Sequence, residues 1–272
     1  MAITKKWATD GPFKLLSTPR AALKVRLSVS SHVSSCSINQ NQGAPETKAS
    51  KNASEMALVH NVLLRGLNSI YLQAPNIKEP MDIMDFMTFC DCWSRVLHAH
   101  HLTEETVYFP LLEEQTRQKG VMENNHNEHE AFLPGLEAFD KFVSTASDDF
   151  TLYDSAQFTK IIDDMGSPLE KHLHHEVKVL VDLEKDEGID WDLLGKTMAQ
   201  QSKKTADRVR EVPFMITNSD VTYEGGIHGE RFPPFPWFVG QIFRWFYTPQ
   251  LYAAWRFSCC DDYGVPRDLP FV

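Results

Sequence analysis

Histidine falls on the apolar stripe of four separate helical stretches, and that placement constrains this chain more than any other feature. The first stripe is Met56, Val59, Leu63, Leu64, Leu67, Ile70 and Tyr71, with His60 in its phase. The second runs through Phe86, Phe89, Trp93, Val96, Leu97, Val107 and Leu111. Seven residues, close to two helical turns, separate Trp93 from His100 and Leu97 from Glu104, so both polar side chains project inward one turn apart. The third stripe carries Met122, Phe132, Leu133, Leu136 and Phe139, with His129 seven residues after Met122. The fourth has Phe158, Ile161, Ile162, Met165, Leu169, Val179, Leu180 and Leu183, and contains His172 and Glu176. The order His, then His-x-x-x-Glu, therefore occurs twice, at intervals of 40 and 43 residues.

Four amphipathic stretches of period 3.6 joined by short connections, with no convincing alternating strand, predict an all-α protein. Its body is expected to be an antiparallel up-down-up-down four-helix bundle over residues 51–186. Asn52 or Ser54 would cap the first helix, Pro75 and Asn76 would end it, and Pro80 would precede the second. Pro110 predicts a kink or break in the preceding turn, Pro134-Gly135 a kink in the third helix, and Gly166-Ser167-Pro168 an interruption of the fourth.

Two unpaired glutamates and four histidines in an apolar core would cost many kcal/mol unless the charges were neutralised. A pair of divalent or trivalent cations removes that penalty. Imidazoles with carboxylates inside a bundle suit iron first and manganese second, and disfavour copper(I). His60 taken alone reads as a hydrogen-bonded core histidine, and one His/Glu pair four apart is common on solvated helices. Two such pairs in register with two further inward histidines single out a metal centre.

These residues resemble the hemerythrin-like HHE family. The resemblance covers about residues 52–186 and rests on His60-Asn61, on His100-His101-Leu102-Thr103-Glu104-Glu105 followed by Tyr108-Phe109-Pro110, on Glu128-His129, and on His172-Leu173-His174-His175-Glu176. It implies two non-haem irons held by His60, His100, Glu104, His129, His172 and Glu176, and a part in oxygen binding, nitric oxide or redox sensing, or iron homeostasis. The third stretch lacks the His-x-x-x-His that oxygen-carrying hemerythrins use, which argues against reversible oxygen transport.

Neighbouring residues leave alternatives open. His101 and Glu105 are also four apart, and a rotation of about 100 degrees would exchange them for His100 and Glu104. His126 is a further candidate ligand or supporting donor. His98, His174 and His175 read as supporting or solvated groups, and Glu105, Glu128 and Glu130 as partners for the outer nitrogens of ligating rings.

The net charge is −10, but seven basic side chains face two acidic ones in the first fifty residues, leaving plus 5 there and minus 15 in the remainder. An acidic body excludes the clustered basic surface that nucleic acid needs. Five cysteines, Cys36, Cys90, Cys92, Cys259 and Cys260, form no framework of spaced pairs, so packed thiols in a reducing compartment are expected. No apolar run is long enough for a transmembrane helix. A cytoplasmic protein follows, with a mitochondrial presequence as the alternative because the first segment is basic and poor in acids.

Residues 1–50 are too polar to bury a core and predict a disordered arm. Residues 187–272 form an extension whose aromatic runs, Phe232 to Phe238 and Phe243 to Tyr247, are expected to pack irregularly over the bundle, with a membrane-surface or partner-binding role as the alternative. The leading functional expectation is a di-iron protein that binds oxygen, nitric oxide or peroxide, or senses iron. A di-iron enzyme of peroxide or oxygen chemistry is the second class, and a metal-free scaffold the third.

Overall fold

A computed structural model describes residues 7–24, 46–228 and 236–272. Among the described residues the protein is helical and has no strand. Helix α1, Lys48–Gln73, starts at Thr47, whose hydroxyl accepts from the Ser50 backbone N–H at 3.1 Å. Helix α2, Pro80–Thr103, opens on a proline, which fits the first helical position because its missing N–H has no partner there in any case.

Pro110 acts as expected. The chain leaves α2 through a π-helical turn, Glu104–Tyr108, and re-enters a helix at α3, Phe109–Thr116, with Pro110 in its first turn. Proline lacks an N–H and crowds the carbonyl one turn earlier, and the wider turn, in which the Phe109 N–H bonds Glu104 O, absorbs both problems.

Helix α4, Glu123–Asp148, runs on through Pro134, and helix α5, Ser155–Asp182, runs as one helix through Pro168, so the interruption expected in the fourth stretch does not occur. The neighbouring glycines serve close approach instead. A Cβ on Gly135 would lie 2.5 Å from Met165 Cβ, and one on Gly166 would lie 2.3 Å from the Phe13 ring. Leu133, expected to face inward, is 42% exposed.

The four long helices share one core at the end remote from the histidines. The Trp93 indole N–H donates to Leu63 O at 2.9 Å, tying α2 to α1. Trp93 meets Phe139 of α4 at 4.9 Å between ring centroids, Phe139 meets Phe158 of α5 at 5.1 Å, and Phe158 meets Phe86 of α2 at 6.2 Å. All four rings are fully buried, the large-area packing that dominates core energetics.

The expectation of a structureless arm does not hold for residues 7–24. Phe13 and Leu16 are buried, and two asparagines on α1 clamp the segment's backbone. Asn68 accepts from Phe13 N–H and donates to Phe13 O, and Asn61 does the same for Leu16. Each amide thus satisfies one strand-like backbone pair that burial would otherwise leave without water. Cys36 and residues 25–45 lie outside the described residues.

The C-terminal part packs back with some of its rings only. Helices α6, Trp191–Thr205, and α7, Glu211–Asn218, lie on the bundle, and Phe214 and Phe257 reach Phe89 at 5.2 and 6.2 Å. Arg256 pairs with Asp82 at 2.6 Å and Asp85 at 2.8 Å on α2. Residues 237–247 bury Gly240, Phe243 and Arg244, while Trp237, Phe238, Trp245 and Phe246 are exposed, because one short helix can turn only one stripe inward. Phe232 to Phe235 lie outside the described residues. No helix among the described residues is long and apolar enough to cross a membrane.

Candidate metal centre

The polar end of the bundle interior is built from α1, α2, α4, α5 and the π-helical turn. His60, Glu104, His172 and Glu176 are completely buried, and His101 and His129 nearly so. All six residues singled out by the stripes converge: His60 Nε2 lies 3.0 Å from His100 Nε2 and 3.1 Å from Glu176 Oε2, and His129 Nε2 lies 3.0 Å from His172 Nε2. Glu104 stands between the two groups, with Oε1 2.9 Å from His100 Nε2 and Oε2 3.5 Å from His129 Nε2.

Two sets of donor atoms result, each contained within 4.8 Å. One is His60, His100, Glu104 and Glu176, and the other is His101, Glu104, His129 and His172. Glu104 belongs to both. His101 is thus brought to the centre in addition to His100 rather than in exchange for it. Adjacent residues on a helix diverge by about 100 degrees, so the two rings flank the interior, His100 towards α1 and His101 towards α4, with its ring 4.3 Å from that of His129. The stripe missed this, since it treats the interior as a line rather than a cavity wide enough for two neighbours.

Several outer nitrogens are held as a metal site requires. The His60 Nδ1–H donates to Leu173 O at 2.7 Å, and the His129 Nδ1–H to Glu105 Oε1 at 2.5 Å. Fixing the proton on Nδ1 leaves a lone pair on Nε2, aimed inward. Glu105 also accepts from His126 at 2.7 Å, which places His126 outside the donor sets and makes Glu105 a positioning group. Glu128 accepts from His175 Nδ1 at 3.0 Å and lies 3.7 Å from His172 Nδ1. His174 bonds Lys14 O, and His98 bonds Asp140. Phe109 stacks on His129, and Phe132 lies against His101 and His172, so the walls are apolar.

The donors fit cations better than they fit one another. All four carboxylate oxygens of Glu104 and Glu176 are buried without an aligned hydrogen-bond donor, as are His101 Nε2 and His172 Nδ1. Orphaned buried polar atoms of this kind are rare in a folded protein and mark an unmet ligand. Two nitrogens each about 2.1 Å from one ion and at right angles would sit about 3 Å apart, the spacing of both Nε2 pairs. Burial, followed by the negative charge of Glu176, pushes the Glu104 carboxyl up to about 8. Burial lowers His100 to about 4 and His172 to about 2, and holds His101 well below its ordinary value. These rings are therefore neutral at physiological pH, the form that binds metal.

Comparison with known proteins agrees with this geometry. Residues 52–183 match the family model of the hemerythrin HHE cation-binding domain. A relative from Cryptosporiopsis sp. (strain 8999), described as dimeric xanthone biosynthesis cluster protein R11, is 29% identical over 270 residues, spanning 99% of this chain and 95% of its own. No solved structure matches.

Proposed function

Since residues 52–183 belong to the hemerythrin HHE cation-binding domain family, we propose that this chain holds two non-haem iron ions within an up-down-up-down four-helix bundle and uses them to bind oxygen, nitric oxide or peroxide. His60, His100, Glu104, His129, His172 and Glu176 are the ligands. The observation that carries this reading is Glu104, whose two oxygens face separate imidazole sets and have no other partner. Manganese is the second choice for the same donors.

Bound iron would supply a redox-active cation able to take a small-molecule ligand. The chain's own residues do the rest. Leu173 O and Glu105 fix the tautomers of His60 and His129. Phe109 and Phe132 keep bulk water from the His129 side. Glu104, common to both donor sets, would offset charge at both positions. Four buried free thiols, Cys90, Cys92, Cys259 and Cys260, support a reducing compartment such as the cytoplasm.

Metal analysis of protein reconstituted with ferrous iron tests the reading. It should find about two irons per chain and charge-transfer absorption that responds to azide or nitric oxide. One iron or none would defeat it, and a chain that keeps its stability without metal would be the scaffold.

An enzyme of oxygen or peroxide chemistry is the second reading. The printed description of the Cryptosporiopsis relative, a biosynthesis cluster protein aligned over nearly the whole chain, favours it. Oxygen uptake by the reduced protein that rises when a xanthone is added would support the enzyme over the carrier or sensor.

A further inference from the structure

His101 is the one member of the cluster that the doubled His/His-x-x-x-Glu pattern does not account for. Its ring is buried, its Nε2 has no hydrogen-bond partner, and one of its ring nitrogens lies within 4.8 Å of donor atoms of Glu104, His129 and His172. The ring lies 4.3 Å from His129, 5.2 Å from His172 and 4.9 Å from Phe132 between centroids, so it is held in place by packing rather than by a polar partner. On α4 the residue one turn after His129 is Leu133, which is exposed and cannot complete this set.

We propose that His101 is a metal ligand and that the two metal positions are chemically unlike. This rests on the metal-centre reading above. One position has three imidazoles and one carboxylate, His101, His129, His172 and Glu104. The other has two imidazoles and two carboxylates, His60, His100, Glu104 and Glu176. Glu104 is common to both. Nitrogen-rich sets favour the later divalent cations of the first transition row, whereas carboxylate-rich sets also suit manganese(II). The imidazole-rich position therefore fills first with ferrous or cobalt(II) ion and empties last under a chelator, while the second position is the one that manganese(II) can occupy. Consecutive histidines can serve opposite positions because α2 ends there in a π-helical turn, a feature common at functional sites, that carries Glu104 between them.

The test is titration of the metal-free full chain with cobalt(II), read by bound-metal stoichiometry and by visible d–d absorption, for the natural protein, His101→Phe and His101→Gln. Phenylalanine keeps the ring packing against Phe132, glutamine keeps a polar group, and circular dichroism with metal-free melting checks that each variant folds. The natural chain should take up two ions in two resolved steps. Both variants should lose the tighter step, by at least about tenfold in affinity, and should keep the weaker one with its spectrum unchanged. A folded variant that binds two ions with the natural affinities and spectrum would overturn the role of His101 and leave the dinuclear reading standing. A natural chain that binds no ion would defeat that reading and this inference with it. If neither variant folds, the hyperfine-shifted imidazole signals in the proton NMR spectrum of the cobalt(II)-loaded natural chain decide: five ligating rings would uphold the proposal and four would overturn it.

Discussion

The two ends of the same four helices solve opposite problems. At one end of α2, Phe86 and Trp93 are fully buried against Phe158 and Phe139 and Phe89 against Phe214 and Phe257, every side-chain atom apolar or hydrogen-bonded. Two to three turns on, Glu104 is equally enclosed and His101 nearly so, yet they carry orphaned nitrogen and oxygen atoms. The first end gains stability from each contact it makes. The second loses stability in the metal-free state, since an unmet buried polar group costs about 1–3 kcal/mol and a charged one more. Fold and function are thus segregated along the helix axes, and a substitution should be felt at one end without altering the chemistry of the other.

The largest effect should come from the apolar end. Trp93→Ala removes the biggest buried side chain and the bond to Leu63 O. Urea denaturation should record a loss of about 3–5 kcal/mol, equal in the metal-free and metal-loaded proteins. Stoichiometry of whatever remains folded should be unchanged. A variant that loses metal before it loses structure would break the segregation.

At the polar end the order reverses. Glu104→Gln should abolish binding at both positions, since Glu104 is common to both donor sets, while raising the melting temperature of the metal-free protein by relieving a buried ionisable group next to Glu176. The natural chain should instead gain about 2.7 kcal/mol from each bound ion at a hundredfold excess over its Kd. Metal-free Glu104→Gln that melts below the natural metal-free protein would mean that Glu104 supports the fold directly.

The difference between the two ends also governs how much was legible in sequence. Apolar residues and the six stripe positions repeat every three or four residues, so a one-dimensional period places them, and His60, His100, Glu104, His129, His172 and Glu176 do converge. His101 is off that period and reaches the interior only because the cavity admits two neighbours. Gly166 next to Pro168 read as an interruption, although its missing side chain makes room for Phe13, a partner more than 150 positions away that no local pattern names. The docking of residues 7–24 was hidden for a similar reason. It is made by Asn61 and Asn68 bonding backbone, and asparagines on a helix usually signal solvent. The aromatic run at 237–247 misled in the other direction, because composition counts rings and does not say that one face of a short helix must stay outside.

The smallest expected effect, and the one that isolates a single group, is the alkaline pH dependence of the metal-free protein. Glu104 sits at about 8 in the folded state against an ordinary 4.5. A raised carboxyl favours folding fully below 4.5, and that contribution is lost as pH rises to about 8, because the unfolded chain releases the proton first. The lowered histidines of the site are neutral in the folded state, while their unfolded forms still lose protons just above 6.5; this contribution has the opposite sign and is common to the natural metal-free protein and Glu104→Gln, so it cancels in their comparison. His98 does contribute there with the same sign, since its bond to Asp140 raises it. That bond lies outside the donor sets, so it acts alike with and without metal and in Glu104→Gln. Melting followed across this window should therefore fall by more in the natural metal-free protein than in metal-free Glu104→Gln. The excess should be at most about 1.4 kcal/mol per pH unit, and the metal-loaded protein, whose Glu104 is held ionised by the cations, should lack it. Equal slopes in all three would place the Glu104 proton elsewhere and remove the electrostatic contrast between the two ends of the bundle.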